Sequence, residues 1–210
     1  MADGKAAASR EAAERDPLRV EGARERLLEA AYGLFSRHGI HSVGIDRIIA
    51  EAEVAKATLY HHFPSKEALV IAFLDLREAR WTHGWMCAEV ERRAAVPQER
   101  ALAVFDAYDD WFHRPDYEGC SFINTLLEIN DRASAVYRAA VHHLAVIREL
   151  LVGYAEDAGA SNPEEVGHQL QILLMGSIVA AGGGDTQAAL RARPLAAALL
   201  AGDGRKRRGT

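Results

Sequence analysis

Residues 56–66 read Lys-Ala-Thr-Leu-Tyr-His-His-Phe-Pro-Ser-Lys. If the first part is helical, successive side chains turn by about 100°. Leu59 and Phe63 then share one side, Ala57, Thr58 and His61 face the other way, and Lys56 and Tyr60 share a flank. The outward set holds hydrogen-bond donors, a cation and an aromatic ring bearing a hydroxyl. Those groups suit phosphate oxygens and base edges in a DNA major groove. Lys66 opens the following helix, where unpaired N–H groups and the helix dipole already favour a phosphate.

Catalytic patterns are missing. The sequence has no Gly-x-Ser-x-Gly, P-loop, dinucleotide fingerprint, His-x-x-x-His or Cys-x-x-Cys. His142-His143, with His113 and His168, raise a metal set. Adjacent histidines on a helix point about 100° apart and chelate poorly, so no metal is expected. Neither a cofactor nor an enzyme activity is expected. Cys120, after Gly119 at a helix start, has two readings: a thiol acidified by the dipole, or a small buried residue.

Two further groups of residues call for partners. Trp81, Trp85, Phe105, Tyr108, Trp111, Phe112, Phe122 and Tyr137 gather most of the aromatics between 81 and 137. All but Tyr137, together with Leu126, are candidate walls of a small-molecule cavity; an ordinary core would use the same residues. Late in the chain, Leu170, Leu173, Leu174 and Ile178 on one helix and Leu195 and Leu199 on the next are candidate dimer contacts. These faces equally suit closing the core. Gly176, Ser177, Ala180 and Ala181 would let helices approach closely.

The elements that must position these groups are helices. The chain has 210 residues, 49% hydrophobic and 26% charged, with a net charge of −5, an ordinary soluble composition. Disorder, collagen and a disulfide scaffold are excluded, and two cysteines point to a reducing, cytoplasmic setting. No apolar run approaches the roughly 18 residues of a membrane helix, and Met1 to Arg15 lacks the apolar core of a signal peptide. The acidic balance argues against DNA binding over the whole surface and leaves room for a local face.

Apolar spacings of three and four place a helix at about 20–38, with Leu27, Leu28, Ala31, Leu34 and Phe35 inward and Gly39 as its stop. Short helices follow at about 45–52 and 55–62. Ser65 then caps a long helix over about 66–92. Others are expected to follow Pro97, at about 120–130, at about 133–158, at 163–181 after Asn162-Pro163-Glu164-Glu165, and at about 186–201, kinked or restarted at Pro194. The fold class is all-α with about nine helices. Two short helices joined by a tight turn and packed on a third are a helix-turn-helix.

The wording of this segment goes further. Phe35-Ser36-Arg37-His38-Gly39, Ile48, Ala52-Glu53-Val54 and Thr58-Leu59-Tyr60-His61-His62-Phe63-Pro64-Ser65-Lys66-Glu67-Ala68-Leu69 closely resemble the N-terminal domain of the TetR family of bacterial transcriptional regulators. The likeness runs from Leu27 to near Val70; beyond it only length and layout agree. The resemblance implies a positioning helix at 45–52 and a recognition helix at 55–62. Thr58, Tyr60 and Lys66 match backbone-contact positions, and Lys56, Ala57 and His61 match positions that approach bases. Arg47 and Gly44 complete the DNA-binding set. The partners it implies are double-stranded DNA as a palindromic operator, a second copy of the chain, and a small-molecule effector that releases a repressor.

The sequence also departs from that pattern. Glu53 stands for the usual turn glycine, Ala55 for the serine cap of the recognition helix, Gly44 for a threonine or serine, and Asp46 for a frequently basic position. Residues 37–66 carry four Lys and Arg (37, 47, 56, 66) against three acids (46, 51, 53). The second reading is therefore a helical small-molecule-binding protein whose specific DNA binding is weakened or lost. The expected layout is a disordered arm at 1–19, a helix-turn-helix domain at 20–65, a ligand-binding and dimerisation domain at 66–201 and a basic disordered tail at 202–210.

Overall fold

The computed structural model describes the backbone of residues 17–206 and side chains within 22–202. Among the described residues the chain is all-helical, with nine helices and no strand. They are α1 (Pro17–His38), α2 (Ile45–Glu51), α3 (Lys56–His62), α4 (66–93), α5 (Arg100–Phe112), α6 (Ser121–Glu128), α7 (Ala135–Asp157), α8 (Pro163–Gly182) and α9 (Ala188–Lys206). Most of the expected arm and the end of the expected tail lie outside the described residues. Helix α1 begins at Pro17, where proline fits a first turn. Helix α9 continues to Lys206 with Pro194 inside it, so of the kink or restart that the sequence suggested there, the restart does not occur.

The chain divides into two compact units, Met1–Phe73 and Leu74–Thr210. The division falls inside α4 because its first turns belong to the N-terminal core. Leu69, Val70 and Phe73 are buried there, and the Phe73 ring meets Tyr32 at 5.7 Å and Phe35 at 5.4 Å.

In the first unit, α1 buries Leu27, Ala31, Leu34 and Phe35 and ends at Gly39 (φ 76°), whose N–H reaches Phe35 O at 2.9 Å. That φ suits a residue without a Cβ. Ser65 Oγ accepts from the Ala68 N–H at 3.1 Å, the expected cap of α4.

In the second unit, α7 and α8 are tied at Gln171, whose Nε2 donates to Leu144 O at 2.6 Å. They come closest at Gly167, where a Cβ would stand 2.8 Å from Val152 Cα. Asn162 caps α8 by accepting from the Glu165 N–H, with Pro163 in the first turn, as its sequence predicts. Helix α4 holds a feature the sequence did not reveal: Glu78–Met86 is π-helical, and the Cys87 N–H reaches back five residues to Thr82 O.

Candidate DNA-binding face and effector region

Helix α2, the turn 52–55 and α3 form a helix-turn-helix. Ile48 and Leu59 are wholly buried and hold the two short helices to the core. Lys56, Ala57, Tyr60 and His61 are exposed on α3, with Thr58 half-buried, so the predicted recognition face points outward. Gly44 and Arg47 are exposed at the start of α2.

The turn pivots on Glu53, whose φ is 53°, a non-glycine residue in left-handed conformation. Such a residue bears steric strain. Both short helices begin without a side-chain cap, at Gly44 and at Ala55. Each of those residues has the extended backbone of an N-cap.

The cations of this face are tied down. Arg37 Nε donates to Gly33 O at 2.8 Å, and Arg47 Nη2 to His38 Nε2 at 2.9 Å. Lys56 Nζ donates to Asp46 Oδ1 at 3.0 Å. Hydrogen bonding to Asp46, then its negative charge, holds the Lys56 ammonium above its ordinary pKa. Lys66 Nζ is turned to the protein and donates to Ile40 O at 2.6 Å, near the Phe35 ring. An open cleft of about 510 Å³ beside the turn is lined by Glu25, Glu29, Glu51 and Glu53, with Arg26 among them. The first unit therefore carries a restrained positive face next to an acidic one.

Of the predicted effector residues, the second unit brings five together. Trp81 meets Trp111 at 4.7 Å, Trp85 at 5.0 Å and Tyr108 at 5.4 Å, and Phe112 meets Trp111 at 5.7 Å. The sequence did not include Tyr117, whose ring lies 4.8 Å from Trp111 and whose hydroxyl donates to Ile178 O at 2.7 Å. Arg77 sits over Trp81 at 5.7 Å, a cation–π distance. These separations are ring-contact distances, so the rings fill the space between them. Trp81 and Trp85 remain half-exposed. Phe122 is placed differently, stacked on His143 at 5.0 Å; Phe105 is wholly buried in α5 and Leu126 half-buried on α6.

Cys120 resolves toward the second of its readings. It is buried, and burial pushes its thiol up despite hydrogen bonds from the Ile123 and Phe122 backbone. His143 is buried and His142 exposed, on different faces as expected. No group of three His, Cys, Asp or Glu among the described residues is placed to hold a metal. No helix among them is long and apolar enough to cross a membrane.

The predicted dimer residues split. Leu170, Leu174 and Ile178 face their own core, because they share a stripe with Val166 against the rest of the unit. Leu195 is exposed, while Leu173 and Leu199 are half-buried. The outward face of α8 is a second stripe, with Ile172 69% and Val179 59% exposed. Beside it a groove of about 300 Å³ is lined by Ile172, Leu173, Gly176, Ala180, Ala188 and Leu195, among others.

The sequence profile described as "Bacterial regulatory proteins, tetR family" matches residues 27–73. SCO4454, a TetR-family transcriptional regulator from Streptomyces coelicolor, superposes with a TM-score of 0.77 at 31% identity. That match covers 87% of this chain and 96% of SCO4454. The chain belongs to the TetR family. The HTH-type transcriptional regulator UidR of Escherichia coli K12 is 34% identical over 105 residues, 50% of this chain but 39% of UidR. The HTH-type transcriptional repressor SCO4008 of Streptomyces coelicolor is 41% identical over 107 residues, 46% of this chain and 54% of SCO4008. The chain thus spans less than two thirds of these curated relatives.

Two more features of this TetR-family chain were not foreseen from its sequence. The Asp46–Lys56 pair joins residues ten apart across a turn, a relation that periodicity does not reveal. The outward stripe of α8 did leave a signal. This helix is apolar on both sides, a pattern that does not single out one core-facing side in the sequence.

Proposed function

We infer that this TetR-family chain is a DNA-binding transcriptional regulator acting as a homodimeric, ligand-released repressor. The observation that carries the reading is the exposed face of α3: Lys56, Ala57, Tyr60 and His61 stand outward on a helix anchored by buried Leu59, within the segment that the family profile matches. In a dimer, two such helices would enter successive major grooves about 34–36 Å apart. The apolar stripe of Ile172, Leu173, Val179 and Leu195 supports self-association, since a partner would remove it from water. A cytoplasmic setting follows from the same role.

An aromatic effector fits the cluster at Trp81, Trp85 and Trp111. Because these rings touch, the ligand would enter by parting the half-exposed Trp81 and Trp85. Release of DNA requires that it bind the released state better than the DNA-bound state.

The test is selection of random duplex DNA by the purified protein, followed by sequencing of what is retained. A palindrome with half-sites one turn apart, or a multiple, supports the reading. Retention without enrichment overturns specific recognition. The second reading, a ligand-binding protein with weakened DNA recognition, would then lead. The uncapped starts of α2 and α3 and the restrained cations favour it.

A further inference from the structure

We propose that Asp46 is a specificity-determining residue of the DNA interface, acting on Lys56 as its paired counter-charge. The inference rests on the DNA-binding reading above. Asp46 stands in the first turn of α2 and Lys56 opens α3; their side chains meet at 3.0 Å while 81% and 57% exposed. An ion pair so exposed adds little to folding, so the fold does not need it. On a surface that meets a polyanion, a carboxylate is a liability unless it serves recognition. Arg37 donates to a backbone carbonyl and Arg47 to an imidazole, partners that leave the cation's charge in place. Lys56 differs, because its partner is an anion.

The consequence is selectivity between phosphate and base edge. A phosphate that takes Lys56 only replaces one anion with another, and it leaves Asp46 facing the DNA backbone. Non-specific binding therefore gains little from Lys56. A base edge offering an acceptor and a donor side by side satisfies both groups. The ammonium has three N–H donors, and Asp46 keeps acceptor capacity beyond the one bond it makes. In the major groove, guanine presents O6 and N7 as acceptors, and its paired cytosine presents the N4 amino group as donor. Lysine on guanine and aspartate on cytosine are the matching pairings. Asp46 thus withholds Lys56 from phosphate and releases it to a G·C pair.

The experiment measures D46N, K56Q and the double variant against the wild type. Each is tested on an arbitrary duplex across a salt series and in the random-duplex selection, and its melting temperature is recorded. D46N should bind the arbitrary duplex about fivefold more tightly at 0.15 M salt, with a salt slope steeper by about one. It should also lose preference for G·C at one position of each half-site. K56Q should make D46N silent. Unchanged or weaker arbitrary-duplex binding in D46N overturns the proposal, as does a D46N effect that persists in the K56Q background. Failure of the DNA-binding reading looks different: the wild type is then not retained even at low salt.

Discussion

His143 donates from Nδ1 to Glu78 Oε2 at 2.6 Å, joining α7 to the π-helical stretch of α4. His143 Nε2 lies 3.3 Å from Asp75 Oδ1, outside hydrogen-bonding geometry, and His83 reaches the second oxygen of Glu78 at 3.3 Å. Burial raises the Glu78 pKa, but the hydrogen bonds and charge of His143 and His83 more than reverse that and hold the carboxyl below its ordinary range. A lowered folded pKa gives stability that is present above the unfolded value and lost as pH falls through the folded one. Glu78→Gln should cost about 1–2 kcal/mol near neutral pH. The gap to the wild type should close on acidification below about 4.5. Thermal melts of both proteins across pH check this; a gap independent of pH would refute the ionic account.

Glu53→Gly should stabilise the protein. The substitution relieves a left-handed φ of 53°. Relief of about 1–2 kcal/mol exceeds the extra chain entropy of glycine, about 0.5–1 kcal/mol, so the net gain is a fraction of a kcal/mol to about 1. A lower melting temperature would show that the Glu53 side chain makes a contact worth more than the strain.

The two bare N-caps should respond unequally. Ala55→Ser should add about 1 kcal/mol, whereas Gly44→Ser should add only a few tenths, since glycine is already a tolerable cap. A Cβ at Gly44 meets nothing within 4 Å, so space does not oppose the change. Denaturant midpoints would rank the two.

Ile172→Glu should break self-association while leaving the fold intact, because Ile172 is exposed within its own chain. A charge trapped unpaired at an interface should weaken a dimer by at least about 100-fold. Leu170→Glu should instead unfold the second unit, since Leu170 is wholly buried. Sedimentation velocity together with a thermal melt separates the two outcomes.

Alkali should unfold the second unit through its tyrosines. Burial pushes the Tyr117 phenol up to about 12, and Tyr108 and Tyr154 are raised by the same cause. Raised folded values mean stability that is full below the unfolded value of about 10 and lost as pH climbs through the folded values. Tyr117→Phe should cost about 1 kcal/mol at neutral pH through its lost bond to Ile178 O and lessen the alkaline loss. Ultraviolet phenolate titration of both proteins tests it.

Much of the fold was legible because its signals are local. Gly39, Ser65 and Asn162-Pro163 mark helix ends by chemistry confined to a few residues, and each does in the structure what it does in the sequence. The outward set on α3 was legible for the same reason, one helix turning through 100° per residue. What escaped depends on approach between elements. Leu170 and Ile172 look alike in sequence, and only the packing of α8 on α7 decides which is inside. Trp81, Trp85, Tyr108, Trp111 and Phe112 were foreseen as neighbours, but their mutual contact depends on the winding of α4.

That winding has an evolutionary corollary. A π-helical turn holds more residues than the α-helical turn it replaces, each bond reaching one residue further back. Deleting a single residue within Glu78–Met86 would restore ordinary winding and leave the helix beyond it facing as before, because the extra residue is absorbed within the stretch. Only side chains inside the stretch, Trp81 and Trp85 among them, would change outlook towards Tyr108 and Trp111. One codon gained or lost here would recast the aromatic surface locally and spare the helix on either side, a change that point substitutions would need several steps to reach.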